Sequence, residues 1–169
     1  MCPVIIKPAI DTKGASQIVS RLGVSRPVDI LLGNDESVAK ALAKHPDSHC
    51  ILIDEAQFLA PTQVDELFWY ATRRDVPVLA YGLRTDFQTK GFPGATRLLE
   101  LAHELQELKT ICRCGRKALL NGRKRANTFL FEGSQVAIEG EEDITYESLC
   151  ASCYDSFRAG AITELRQTP

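Results

Sequence analysis

Along the chain, short continuous apolar runs alternate with longer stretches at helical spacing. PVIIKPAID (3–11) reads as a short buried strand that leaves into a loop at Pro8, and DILL (29–32) and CILID (50–54) read as two more. Between them NDESVAKALAKH (34–45) sets Val38, Ala41 and Leu42 on one helical face, with Asn34 or Asp35 as the expected cap. PTQVDELFWYATRR (61–74) predicts a helix, with Pro61 early and Val64, Leu67, Phe68 and Ala71 in one stripe. DVPVLAYGL (75–83) predicts the next strand and ATRLLELAHELQEL (95–108) the next helix. Near-continuous apolar strands alternating with helices predict an α/β fold whose parallel sheet is covered on both faces.

From about residue 112 the pattern changes. TFLFE (128–132), SQVAIEG (134–140) and ITYESLC (144–150) are short alternating stretches and predict a small antiparallel appendage built around cysteines. NGRKRAN (121–127) is polar and basic and predicts a mobile loop. The expected organisation is a core over 1–111, the appendage over 112–160 and a C-terminal tail over 161–169.

Composition narrows the classes. The 169 residues are 44% hydrophobic and 25% charged, with a formal net charge of -2, so no global pull toward nucleic acid is implied. No apolar run approaches the roughly 18 residues of a membrane span. MCPVIIKPAID shows no basic segment followed by a long apolar region, so the expectation is a soluble, cytoplasmic protein.

Four features carry chemistry. ILIDEAQFL (51–59) is an apolar run ending in adjacent carboxylates, and open α/β sheets bind ligands at strand tips of this kind. Asp54 can anchor magnesium and Glu55 can take a proton from a hydroxyl; an ordinary helix-capping Asp-Glu turn is the alternative. Cys112-x-Cys114 and Cys150-x-x-Cys153 can converge four thiolates on one tetrahedral zinc, a closed and hence structural site, against four unrelated buried thiols. YGLRTDFQTKGFPGA (81–95) carries Phe87 and Phe92 in a glycine-bearing loop, either lining a pocket for a flat base or pinning the loop into the core. Arg113, Arg116, Lys117, Arg123, Lys124 and Arg125 form a basic group, expected to be a solvated face rather than a phosphate site.

Taken together, KPAIDTK (7–13), SRLG (20–23), IDEAQF (53–58), VLAYGLRTDF (78–87), ELKTICRCGRKA (107–118) and Y-x-x-x-C-x-x-C (146–153) resemble the type II, zinc-containing thymidine kinase family. The resemblance covers nearly the whole chain. It implies a RecA-like P-loop kinase core, with the zinc appendage and a homo-oligomer that is tetrameric in the family. It implies transfer of the γ-phosphate of ATP to the 5′-hydroxyl of thymidine with Mg2+, and no nucleic-acid or membrane partner. Residue by residue, it places Glu55 as general base, Asp54, Glu55, Ala56 and Gln57 along the nucleotide, and Asp11 as an acid near the magnesium. It sets Phe58, Leu83, Phe87 and Phe92 around the thymine. It puts Asn121, the stretch Val136, Ala137, Ile138, Glu139, and Tyr146 in a lasso over the nucleoside.

Two departures stand out. Glu139 occupies the position of the first glycine of the family's Gly-Gly pair. The 169 residues also contain no G-x-x-x-x-G-K-[ST], so the family's first strand and P-loop are expected to be missing and the chain as written to be inactive. A truncated, non-catalytic nucleoside-binding relic with a structural zinc is the alternative. A zinc-bearing nucleic-acid module, suggested by DEAQ, is disfavoured by the net charge and the lack of other helicase motifs.

Overall fold

The computed structural model describes residues 2–10, 16–19, 23–135 and 144–160. The chain divides into two compact units, Met1–Arg84 with Gly91–Leu105, and Thr85–Lys90 with Gln106–Pro169. The division falls a few residues before the expected 111/112 boundary and takes segment 85–90 with the second unit.

The first unit is built on β1 (Pro3–Pro8), β4 (Ile30–Leu32), β5 (Cys50–Ile53) and β6 (Val78–Ala80), all parallel in the order β4-β1-β5-β6. A short antiparallel pair, β2 (Gln17–Val19) and β3 (Ser25–Pro27), precedes β4 and was not expected. Ile6, Ile51 and Ile53 of the two central strands are fully buried, as the continuous apolar runs require. They pack with Leu32, Val38, Leu42, Val64 and Leu67 into one core.

Helix α2 (Pro61–Arg74) runs over the expected residues, with Val64 and Leu67 on its buried face. Its Gln63 is buried yet fully used. The side-chain NH2 donates to the carbonyls of Gly33 (2.8 Å) and Glu36 (2.9 Å), and its oxygen accepts from Ala60 N–H (3.0 Å).

Helix α1 (Val38–Leu42) starts later than expected. Its cap is Ser37, whose hydroxyl accepts from Lys40 N–H, rather than Asn34 or Asp35. Glu66 of α2 explains the shift: its carboxylate takes both the Ser37 hydroxyl (2.8 Å) and the Ala39 N–H (3.0 Å), holding the orphan donors of that first turn.

Helix α3 (Pro93–Leu101) begins two residues before the expected start and ends seven before the expected end. Leu98 and Leu101 pack on the core, whereas Leu105 and Leu108 are exposed. The apolar spacing continues past Leu101, but among the described residues nothing buries Leu105 or Leu108, and the helix is not continued.

The second unit contains the hairpin β7 (Thr110–Ile111) and β8 (Lys117–Ala118), a three-stranded antiparallel sheet, and helix α4 (Ala151–Arg158). The sheet has β9 (Leu120–Arg125) between β10 (Thr128–Leu130) and β11 (Ile144–Leu149). The expected mobile loop 121–127 is thus largely the central strand of a sheet. The composition was misleading because the inner face of β9 is filled by its neighbours. An added Cβ at Gly122 would lie 2.5 Å from Phe129 and 2.8 Å from Leu149. The expected strand 134–140 lies mostly outside the described residues; Ser134 and Gln135 are in no strand.

Tyr154 and Phe157 of α4 pack against Phe131 and Phe129, with ring centroids 5.3 Å and 4.2 Å apart, in a core shared with Cys112, Leu149, Cys150 and Cys153. Among the described residues, no helix is long and apolar enough to cross a membrane.

Candidate functional site

In the first unit, the chain leaves β1 toward β4 on one side and leaves β5 toward β6 on the other. β1 and β5 are neighbours, so their carboxyl ends flank the point where the winding reverses. At such a point the outgoing connections diverge and leave a crevice for ligands. The Asp54 N–H donates to Ile6 O (3.0 Å), which fixes the first carboxylate residue at that crevice.

Glu55 follows in the left-handed region, at φ 51°, ψ 38°. A glutamate there costs about 1 kcal/mol or more relative to a right-handed residue. Three contacts hold the turn. Ala56 N–H donates to Tyr81 O (2.8 Å), Gln57 Nε2 donates to Glu55 Oε2 (2.6 Å), and Leu83 N–H donates to Gln57 Oε1 (3.1 Å). Gln57 is buried, so its amide links the carboxylate to the backbone after β6 through a fixed side chain. The arrangement orients a half-buried carboxylate at the ligand end of the sheet, which is what proton abstraction from a bound hydroxyl requires.

Two glycines make the close approach possible. A Cβ at Gly82 would stand 2.6 Å from Gln57 Oε1, and one at Gly94 would stand 2.3 Å from Leu59 O and 2.9 Å from Gln57 O. Both obstacles at Gly94 are backbone. Gly94→Ala is therefore expected to cost about 1–3 kcal/mol and lower the melting temperature. An unchanged melting temperature would show that the α3 start and the 56–59 turn separate freely.

The first unit also brings together Phe58 and Phe92, edge to face at 5.5 Å. Phe92 is buried and Leu83 exposed. In the second unit, Phe87 is buried, Asn121 Nδ2 donates to Thr85 O (3.4 Å), and Tyr146 is half-exposed. The burial of Phe87 and Phe92 fits the reading in which the aromatics pin their loop. Asp11, Val136, Ala137, Ile138 and Glu139 lie outside the described residues.

The four cysteines converge. The Sγ atoms of Cys112, Cys114, Cys150 and Cys153 all lie within 4.8 Å of one another, with Cys114 to Cys150 at 3.6 Å. Tetrahedral zinc with thiolates at about 2.3 Å sets its ligands about 3.8 Å apart, so the donor set fits that ion. Gly115, at φ 83°, turns the first pair, with its N–H on Cys112 O (2.8 Å). Cys150 caps α4: its sulfur accepts from the Cys153 N–H, which lowers the thiol to about 7, toward the thiolate a metal takes. Burial pushes Cys153 the other way, upward. Helix α4, which positions the second pair, was not foreseen; a cysteine is a rare cap, so the usual Ser/Thr/Asp/Asn signal was missing.

The basic group does not behave as one face. Arg113 (2.7 Å) and Lys124 (2.9 Å) both pair with Glu147, while Lys117 pairs with Glu107. Arg123 is 2% exposed and contradicts the solvated-face expectation outright.

The sequence profile described as thymidine kinase matches residues 1–154. The chain is 46% identical to a thymidine kinase of Ruegeria pomeroyi over 86% of its own length and 75% of that protein. It is 41% identical to the thymidine kinase of Enterobacteria phage T4 over 89% of itself and 78% of the relative. With that of Escherichia coli O157:H7 it shares 40% identity over 99% of itself and 83% of the relative.

Proposed function

The chain belongs to the thymidine kinase family, and on that premise we propose that its reaction is the ATP-dependent phosphorylation of thymidine to dTMP with Glu55 as the general base. The observation that carries the assignment is the Glu55 turn: a strained backbone and a buried glutamine fix one carboxylate at the switch point of the sheet. Glu55 takes the 5′-hydroxyl proton as that oxygen attacks the γ-phosphate. Phosphoryl transfer needs positioning and charge neutralisation more than covalent catalysis, and Asp54 beside it suits a magnesium ion that supplies the charge. Phe58, Leu83, Phe87, Phe92, Asn121 and Tyr146 are assigned to the nucleoside, as are Val136 to Glu139. The cluster of four cysteines holds a structural zinc. The same reading extends to a cytoplasmic homotetramer.

The residues present supply a base and an acceptor site, but none forms the G-x-x-x-x-G-K-[ST] cradle whose backbone amides and lysine neutralise the donor phosphates. The 169-residue chain assayed alone is expected to show little or no thymidine phosphorylation. The same chain joined to an N-terminal strand and phosphate loop is expected to be active. Radiolabelled thymidine with ATP and magnesium checks this; a robust rate from the 169 residues alone would show that other donors serve the phosphates.

A further inference from the structure

Resting on the reading above, we propose that Arg123 is a positioning residue for the nucleoside: its guanidinium locks Phe87, Tyr146 and the backbone at Ser134–Gln135 into one arrangement. Three guanidinium nitrogens are directed at three acceptors. Nε donates to the Tyr146 hydroxyl (3.0 Å), Nη1 to Ser134 O (2.8 Å) and Nη2 to Gln135 O (3.0 Å). The same cation stacks on the Phe87 ring at 3.8 Å from its centroid and reaches the Tyr146 ring at 5.5 Å. All these residues belong to the second unit.

A buried charge is costly unless every donor direction is compensated. Among the described residues, the hydrogen-bond acceptors of Arg123 are two carbonyls and a phenol rather than a carboxylate. Such a partner set orders neutral groups around a planar fork. A residue needed only to fill the inner face of β9 could be apolar, without the desolvation of a cation.

Two of the groups so joined, Phe87 and Tyr146, are among those the proposed function assigns to the nucleoside. One side chain thus sets the position of Tyr146 relative to the loop that Phe87 pins. Lysine cannot replace it, because an ammonium is a point charge and cannot hold three in-plane acceptors while stacking on a ring.

The test is calorimetric titration of thymidine into the 169-residue chain, into Arg123→Lys and into Arg123→Met, with zinc content and melting temperature measured for each. The parent is expected to bind. Arg123→Lys is expected to weaken thymidine binding by about tenfold or more, with zinc content at the parental value, because oriented charge-assisted bonds are lost while charge and burial remain. Arg123→Met, which preserves the packing, is expected to weaken binding at least as much. Parental affinity in both variants would overturn the inference alone. So would a loss of binding that appears only where zinc content falls, since the guanidinium would then only hold the unit together. Failure of the parent itself to bind thymidine would overturn the functional reading and, with it, the inference.

Discussion

Glu55→Gln is expected to lower kcat for thymidine phosphorylation by roughly 10²–10⁴-fold, with the thymidine KM near that of the parent. The measurement belongs in the form that carries a phosphate loop. Glutamine keeps the length and the branching of the side chain and imposes no new demand on the turn at φ 51°. Its amide oxygen still accepts from Gln57 Nε2, as the carboxylate does at 2.6 Å. What it loses is the capacity to accept the 5′-hydroxyl proton, so the effect falls on the chemical step. Asp54→Asn is expected to behave differently: activity falls at ordinary magnesium and recovers in part when magnesium is raised, because metal affinity is what the change weakens. A near-parental kcat for Glu55→Gln would overturn the assignment and move the search to Asp11.

Removing zinc is expected to unfold the second unit while the parallel sheet persists. Its core is a thin layer of Leu149, Tyr154, Phe157 and Phe129 gathered around the cysteines themselves. Structural zinc in small domains contributes an apparent ~10–16 kcal/mol, more than a core of this size supplies on its own. The Cys150 sulfur also caps α4, so the start of that helix and the metal site depend on the same atom. Purified protein should hold about one zinc per chain. Strong chelation should strip hydrogen-exchange protection from β9, β11 and α4 and leave it on β1 and β5. Metal-free protein with all four thiols freely titratable and α4 still protected would reject the zinc site.

The sequence made the two central strands legible because burial on both faces leaves few polar positions, Lys7 being the one in β1, whereas Leu31 and Leu79 of the edge strands are exposed. Ile5, Ile6, Ile51 and Ile53 announce themselves as a run, and α2 is bounded by Pro61 and ends on Arg73 and Arg74. The cysteine spacing announced the convergence of the four thiols as plainly. What was not legible depended on partners distant in sequence. The start of α1 is set by Glu66, twenty-nine residues beyond Ser37. Helix α3 stops short of Leu105, which is exposed among the described residues although its spacing continues the apolar stripe. Strand β9 looked like a loop because an arginine in a strand is ordinarily solvated, and the ring of Phe87, far back in the chain, together with acceptors at Ser134, Gln135 and Tyr146 makes a buried Arg123 tenable. At the site, the motif located Glu55 but said nothing of its left-handed backbone or of the way Gln57 restrains it.

That left-handed backbone sets what selection can do at position 55. The conformation suits glycine or asparagine better than glutamate, so backbone preference and chemistry pull in opposite directions at a single codon. A library screened only for folded yield after heating would enrich asparagine or glycine there, and each enriched clone would have lost the carboxylate proposed as the base. Heat-tolerant descendants of this chain therefore have to be screened for phosphorylated thymidine at every round, because at this one position survival and turnover are rewarded by different residues.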